Sequence, residues 1–136
     1  MGTLIRRSIT PPGLEHGDNP IPAACRYGPL LATSRVRGID PATGEQPDAV
    51  DAQVTHMFAN MDSILADGGG CWGNIVKMTF WIAEPAARPL INAAWVARFP
   101  NPESRPARQV INSPLGHGML VQCDALAFIE PEAGHG

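Results

Sequence analysis

The stretch RPARQV, residues 105–110, marks the point where an irregular, proline-rich segment gives way to a strand. Pro106 holds its own φ near about −65° and lacks a backbone N–H, so this entry is rigid and extended rather than helical. Arg108 then opens the run Arg-Gln-Val-Ile-Asn, whose residue types suit a strand. An arginine held in this way can present its planar guanidinium to a carboxylate. The spacing alone is also typical of a surface arginine at a strand edge.

Composition indicates a single domain over residues 1–136, with a short irregular tail at 131–136. A chain of 136 residues with 44% hydrophobic content and a net charge of −3 is long enough to bury a core. Its apolar runs are too short to span a membrane, and its N-terminus lacks the apolar segment of a signal peptide. We therefore expect a cytoplasmic protein that does not bind membranes. Because no basic stripe is present, we expect no nucleic-acid partner either.

Cysteine and histidine spacing predicts neither a disulfide framework nor a metal site. The cysteines are odd in number and widely spaced, and we expect each to be a small buried residue: Cys25, Cys71 and Cys123. The histidines lack metal-ligand spacing to another His, Asp or Glu, and we expect them in solvent: His16, His56, His117 and His135. The predicted function accordingly uses no metal and no cofactor.

Hydrophobic periodicity and turn residues predict the order of the elements. The predicted elements are a strand over Leu4–Thr10, two strands in Ala24–Ser34 bent at Gly28-Pro29, a turn-rich loop over Arg35–Pro47, a helix from Asp48 to Asp67, a strand over Asn74–Ala83, a helix over Arg88–Phe99, a strand over Arg108–Ser113 and a final strand over Leu120–Glu130. The turn at Pro114–Gly118 suggests that the last two strands form a hairpin.

The first predicted helix is the clearest amphipathic element. Asp48 is a candidate N-cap, and Asp67-Gly68-Gly69-Gly70 ends the helix. Its apolar stripe comprises Val50, Val54, Met57, Phe58, Met61, Ile64 and Leu65. The remaining face carries Gln53, His56 and Asn60, which we assign to solvent.

This order of elements predicts an α+β fold, a two-layer sandwich with a mixed β-sheet and two helices on one face. The other sheet face then needs cover, because the strands carry apolar residues on both sides: Val76, Met78, Phe80, Ile82, Leu120, Cys123 and Leu126. A partner subunit is the natural cover, so we expect an oligomer.

Five segments in register resemble the RidA (YjgF) family over roughly residues 19–130. They are DPATGE at 40–45, NIVKMT at 74–79, Asn92, RPAR at 105–108 and VQCDALA at 121–127. The resemblance implies a chorismate-mutase-like fold and a homotrimer with clefts between neighbouring subunits. It also implies hydrolysis of reactive enamine and imine intermediates of amino-acid metabolism to 2-oxo acids and ammonia.

The resemblance also suggests site residues. Arg108 matches the family arginine that binds the substrate carboxylate, and Asn92 and Ser34 match residues that line the cleft. Asp124 matches a position usually held by glutamate, which orients water or transfers a proton. Arg35 stands where the family typically has glycine, and Ile21 stands where a tyrosine is common. The side chain of Asp124 is one methylene shorter than that glutamate, and a displacement of a catalytic group by about 1 Å can cost on the order of 10²-fold in rate.

Three functions remain open at this point. The first is a RidA-like deaminase, turned by Arg35 and Ile21 toward a larger or dicarboxylic substrate. The second is a non-catalytic or chaperone-like trimer that uses Arg108 to bind a carboxylate metabolite. The third is a pathway enzyme for an unsaturated, amino-substituted acid. Two assignments also have plain structural alternatives: Asp124 as a strand carboxylate ion-paired to an arginine such as Arg108 in a structural interface, and Arg35 as an exposed loop charge.

Overall fold

A computed structural model describes residues 5–130 of the chain. The elements in chain order are β1 (Arg7–Ile9), β2 (Ala24–Tyr27), β3 (Leu30–Thr33), β4 (Val36–Arg37), α1 (Val50–Asp67), a 3₁₀ turn (Trp72–Asn74), β5 (Ile75–Ile82), α2 (Ala87–Arg98), β6 (Ala107–Asn112) and β7 (Val121–Phe128). The predicted elements are confirmed within a few residues, with β4 added inside the segment that we predicted as a loop. Leu4, His135 and the tail at 131–136 lie outside the described residues.

The strands form one mixed sheet in the order β1-β2-β3-β7-β5-β6, and β4 also pairs with β7. Helix α2 connects β5 to β6, which lie side by side in parallel. A parallel pair needs such a crossover, whereas a short turn can join only antiparallel strands. The predicted hairpin between β6 and β7 is therefore wrong. The two strands lie on opposite sides of β5, which pairs with β7 in antiparallel fashion.

Both helices pack on one face of this sheet, so the predicted two-layer α+β sandwich is confirmed. The apolar stripe of α1 is buried there from Val54 to Leu65. It packs against alternate residues of the two long strands, which include Met78, Phe80, Ile82, Val121 and Cys123. Five aromatic rings extend this core beneath the helices: Phe58, Trp72, Phe80, Trp95 and Phe99.

The predicted solvent-facing side of α1 is wrong for two of its three residues. Gln53 and Asn60 have exposed fractions of only 0% and 1%. The Gln53 amide donates to the carbonyls of Pro47 and Gly118 at 2.8 and 3.0 Å, and its oxygen accepts from the backbone N–H of Leu120 at 2.8 Å. These bonds offset the cost of burying a polar amide, because they replace the bonds it would make to water.

Asn60 is likewise a buried amide whose polar atoms bond to loop carbonyls. Its amide nitrogen donates to the carbonyls of Arg37 and Ile39, both at 2.9 Å. Gly38 lies between these two residues, and a Cβ there would come within 2.2 Å of the Gln53 carbonyl oxygen. The short strand β4 can therefore approach α1 only because residue 38 is glycine.

The predicted cap at Asp48 is also wrong. Helix α1 begins at Val50 with Ala49 in the N-cap position, and no side chain caps it. Gly68 ends the helix as predicted; its N–H donates to the carbonyl of Ile64, and the N–H of Gly69 donates to that of Ala66.

We use the term open face for the side of the sheet opposite the helices. Pairing of Leu30 with Phe128 and of Ala32 with Leu126 brings apolar side chains together on this face. Leu30, Leu126 and Phe128 are each more than 40% exposed, as is Tyr27 on the neighbouring strand. The expectation that apolar strand residues occupy both faces is confirmed.

The environments of the cysteines and histidines differ from one residue to the next. Cys123 is buried as expected, whereas Cys25 is half-buried and Cys71 is exposed. The expected solvent environment holds for His117, but His16 and His56 are half-buried. Over residues 5–130, no helix is long and apolar enough to cross a membrane.

Candidate functional site

Arg108 lies at the second position of β6, on the side of the sheet that carries the helices. Its parallel partner is Met78, whose side chain is fully buried in the core. The guanidinium carbon lies 5.4 Å from the ring centre of Phe80 and 5.2 Å from that of Trp95. One terminal nitrogen donates to the Oδ1 atom of Asn92 on α2 at 2.7 Å. Two aromatic rings and one amide thus hold the fork of Arg108 in place at the sheet edge.

Among residues 5–130, no acidic side chain forms an ion pair with Arg108. Partial burial lowers the pKa of Arg108, and the positive charge of Arg88 lowers it further. The normal pKa of an arginine is so high that the group stays cationic at neutral pH. Arg88 precedes Asn92 by one helical turn, so both lie on the same side of α2. We call the group Arg108, Asn92, Phe80 and Trp95 the Arg108 site; it is suited to binding an anion.

Asp124 lies on the open face, in the middle of β7. It pairs with Thr79 of β5 and is half-buried. Burial raises the pKa of Asp124, while hydrogen bonding to the backbone of Thr79 and the charges of Arg35 and Lys77 partly offset this rise. A carboxyl group with a raised pKa is closer to the proton-transfer range at neutral pH than an ordinary aspartate.

Arg35 lies beside Asp124 in the structure. Its guanidinium carbon is 4.0 Å from the ring centre of Trp81, and one terminal nitrogen donates to the Oε1 atom of Gln122 at 3.2 Å. Arg35 is exposed and lies between β3 and β4, as its structural alternative states, but its guanidinium is held by Trp81 and Gln122. We call the group Arg35, Trp81, Gln122 and Asp124 the Arg35 site.

Sequence reasoning did not find Gln122 or Trp81. Gln122 is 7% exposed, and its amide nitrogen contacts the Sδ atom of Met119 at 3.2 Å. Strand alternation offered a signal, because residues two apart on one strand share a face and Gln122 therefore accompanies Asp124. Trp81 required the pairing register, which sets it opposite Gln122.

Ser34 follows β3 directly and precedes Arg35, whereas Ile21 belongs to the loop between β1 and β2. The Ser34 hydroxyl donates to the Pro22 carbonyl at 2.7 Å, and its N–H donates to the Ala23 carbonyl at 2.9 Å. These two bonds tie the loop to β3, so Ser34 positions the neighbouring backbone. Ile21 is 46% exposed at the surface of this loop.

The predicted site residues thus form two groups on opposite faces of one sheet. Arg108 and Asn92 lie on the helix side, whereas Asp124 and Arg35 lie on the open face. Arg108 and Asp124 of one chain therefore do not meet, and an ion pair between them in a structural interface stays a prediction. In the part of the chain that the structure describes, the ion pair present joins Arg98 and Asp62 at 3.7 Å.

Other features of the surface lie apart from these two groups. A cavity of about 570 Å³ opens at the carboxyl ends of β5 and β6, lined by residues 82, 83, 85 and 112–116, and it includes none of the predicted site residues. Between residues 5 and 130, no cluster of three or more His, Cys, Asp or Glu side chains could hold a metal ion.

The chain is thus an open α+β sandwich that carries, on each side of its sheet, an arginine held by an aromatic ring and a side-chain amide. Residues 19–129 match the family model described as Endoribonuclease L-PSP. The chain belongs to this family, and the predicted RidA (YjgF) resemblance is confirmed.

Two curated relatives give the same result. The chain is 30% identical over 108 residues to Reactive Intermediate Deaminase A, chloroplastic, of Arabidopsis thaliana, across 78% of this chain and 58% of the relative. It is also 30% identical over 105 residues to a RutC family protein of Aquifex aeolicus, across 77% and 84% of the two chains. The chain thus spans little more than half the length of the plant protein that it matches.

Solved structures of the Rid family share the fold. A Rid family protein, YyfA, from Yersinia pestis aligns with a TM-score of 0.82 at 23% identity, across 92% of this chain and all of that one. The YjgF gene product of E. coli aligns with a TM-score of 0.80 at 25% identity, across 91% and 99%.

Proposed function

We propose that this protein is a RidA-like deaminase that hydrolyses reactive 2-imino acids to 2-oxo acids and ammonia. The observation that carries the proposal is the guanidinium of Arg108, which is held by Asn92 and two rings and has no acidic partner in direct contact within the described residues. Such a group binds a carboxylate through charge-assisted hydrogen bonds. Its presence in a family that includes a reactive intermediate deaminase supports this reaction.

The reaction requires little beyond positioning. A protonated imine carbon is electrophilic, so one oriented water molecule can add to it, lose a proton to the carboxylate of Asp124 and form a carbinolamine. A proton then passes from the new hydroxyl to the nitrogen, the C–N bond breaks, and ammonia leaves the 2-oxo acid. Arg108 would hold the carboxylate, and Asp124 would orient the water and carry the proton. The raised pKa of Asp124 favours that role.

The site we propose is completed between copies of the chain. Arg108 and Asp124 lie on opposite faces of their own sheet, so one substrate can meet both groups only if two subunits contribute. The apolar open face, with Leu30, Leu126 and Phe128 exposed, supports the association of copies through this face. The homotrimer implied by the resemblance is the assembly we propose.

The direct test is ammonia release from 2-aminoacrylate generated in situ, with and without the protein. We expect release above the spontaneous rate, together with loss of turnover in Asp124→Asn. The rate should persist in the presence of EDTA. Activity that disappears on chelation and returns with zinc would contradict the proposed metal-free mechanism.

A non-catalytic carboxylate-binding trimer is the second candidate. Asp124 favours it, since aspartate is one methylene shorter than the glutamate that the resemblance implies for a deaminase. Under this alternative, Arg108→Ala abolishes carboxylate binding, Asp124→Asn leaves binding unchanged, and no variant releases ammonia above the spontaneous rate. Asp124→Glu separates the two candidates further, because a longer acid should raise deaminase activity on small imines if reach is the limiting factor.

A further inference from the structure

Arg35 has the features of a ligand-binding group, although it lies outside the Arg108 site. Its guanidinium stacks on the Trp81 ring at 4.0 Å and donates to the Gln122 oxygen at 3.2 Å. Both partners are uncharged, so they fix the direction of the fork without cancelling its charge. An arginine held in this way loses less conformational entropy when it binds an anion than a free surface arginine does.

The surroundings of Arg35 leave its outer side available. The residue is exposed, while Gln122 beneath it is almost fully buried. One terminal nitrogen bonds to Gln122, and the remaining donors of the fork have no partner among the described residues. A carboxylate needs two such donors side by side for a bidentate contact.

Strand pairing places Arg35 next to the proposed water-orienting carboxyl. Val36 pairs with Cys123 and Arg37 with Gln122, so Arg35, one position earlier, comes alongside Asp124. The charge of Arg35 acts on Asp124 over this short separation. A substrate whose reacting carbon lies near Asp124 would therefore bring its side chain near Arg35.

We infer that Arg35 is a specificity-determining residue that binds a second carboxylate, so that the preferred substrates are imines of amino acids with an acidic side chain. This inference rests on the proposed function, because it takes Asp124 as the group beside the reacting carbon. Arg108 binds the carboxylate next to the imine, and Arg35 binds the distal one. An apolar or uncharged side chain would leave the Arg35 charge without a partner.

The experiment measures binding and turnover separately. Binding of 2-oxoglutarate, a dicarboxylate, and of 2-oxobutanoate, a monocarboxylate, is measured by calorimetry on the assembled protein. We expect the dicarboxylate to bind about five- to tenfold more tightly, as a partly exposed but pre-organised ion pair allows. Arg35→Gln, which is shorter and uncharged but remains polar, should bring the ratio of the two affinities close to one.

Two further variants separate charge, fork geometry and general electrostatics. Arg35→Lys keeps the charge but cannot make the bidentate contact or the same ring stacking. We therefore expect its ratio of dicarboxylate to monocarboxylate affinity to lie between those of wild type and Arg35→Gln. Arg7→Ala removes an equal charge from the exposed outer strand β1, and the ratio should stay at the wild-type value.

The outcomes distinguish this inference from the proposed function. Equal binding of the two acids by wild type, or a ratio that persists in Arg35→Gln, overturns the inference about Arg35 even if small imines are hydrolysed. A ratio that depends on Arg35 supports it even if no imine is hydrolysed, in which case the deaminase proposal alone fails. With an active protein, the imine of glutamate, generated in situ by an amino-acid oxidase, should show the same preference in kcat/KM.

Discussion

The Arg108 site and the Arg35 site have similar chemistry, but the aromatic rings that hold the two guanidinium groups lie on different faces of the sheet. In each, a guanidinium lies over an aromatic ring and donates to a neutral side-chain amide oxygen. Arg108 rests on Phe80 and Trp95, which belong to the core between sheet and helices. Arg35 rests on Trp81, which lies on the open face. The first site is therefore completed by the folding of one chain, whereas the second faces a surface that the single chain leaves uncovered.

The largest expected difference is in the free energy of unfolding when the ring of Phe80 or that of Trp81 is removed. Phe80 is fully buried, so Phe80→Ala should lower the free energy of unfolding by about 3–5 kcal/mol. Trp81→Ala removes a larger side chain from a partly exposed position, and we expect less than half of that loss. Urea denaturation at one fixed protein concentration measures both changes. Equal losses would mean that the open face is as much a part of the core as the helix side.

Assembly gives the next test. Leu126→Glu places a charge in the middle of the apolar open face, and we expect it to convert an oligomer into a monomer. Val96→Glu is the matched control, because Val96 is similarly exposed, at 49% against 41%, but lies on α2. Light scattering at micromolar concentration measures the mass of each. A monomeric wild type, or an oligomer that survives Leu126→Glu, would contradict assembly through this face.

Loss of the Arg108 charge should affect activity more than stability. Arg108→Ala removes a charge-assisted hydrogen bond worth about 1.5–3 kcal/mol, so kcat/KM for a 2-imino acid should fall by roughly ten- to a hundredfold. Arg7→Ala controls for the change in net charge. If activity survives Arg108→Ala, the stretch RPARQV has only a structural role.

The pH dependence of stability tests the burial of Asp124. Its pKa is raised in the folded protein, so folded chains retain a proton that unfolded chains have lost. Stability therefore falls as the pH rises from the unfolded pKa of about 3.9 through the folded value. Asp124→Asn removes this loss, and its melting temperature relative to wild type should be higher at pH 7 than at pH 4. A difference that is constant or reversed would contradict the assigned cause.

The smallest effect is expected at Arg88. This exposed arginine does not contact Arg108 through a hydrogen bond, but its charge acts on the same region. Arg88→Ala should raise KM for an anionic substrate by about two- to threefold, consistent with the modest energies of exposed charges. The effect should disappear at high salt, because screening removes interactions between exposed charges. An effect independent of salt would indicate direct contact with the substrate.

Much of the fold could be predicted because local pattern and burial agree. The apolar stripe of α1, the glycines after Asp67 and the β-branched run of β5 each match the structure. The hairpin error arose because a turn-rich segment between two strands does not reveal whether they become neighbours. That outcome depends on β5, which lies earlier in the chain and separates β6 from β7.

Two amides show why polarity alone misplaces residues. Gln53 and Asn60 occupy the polar side of α1 in a helical projection, yet both are buried. Their partners are carbonyls of loops outside the helix, such as Pro47, Gly118 and Ile39. A single-helix pattern carries no record of these loops, so it assigns every amide on that side to water.

The sequence by itself determined the two helices, the longer strands and the family, because these follow from local residue order. Through the family resemblance it also nominated Arg108 and Asp124 as site residues. Only the tertiary structure decided that Arg108 and Asp124 lie on opposite faces of the sheet, and that Arg35 joins Trp81 and Gln122. The physical reason is the two-residue period of a strand combined with the pairing register. The sheet face on which a side chain lies, and the side chains beside it, are fixed only when the strands pair in one register.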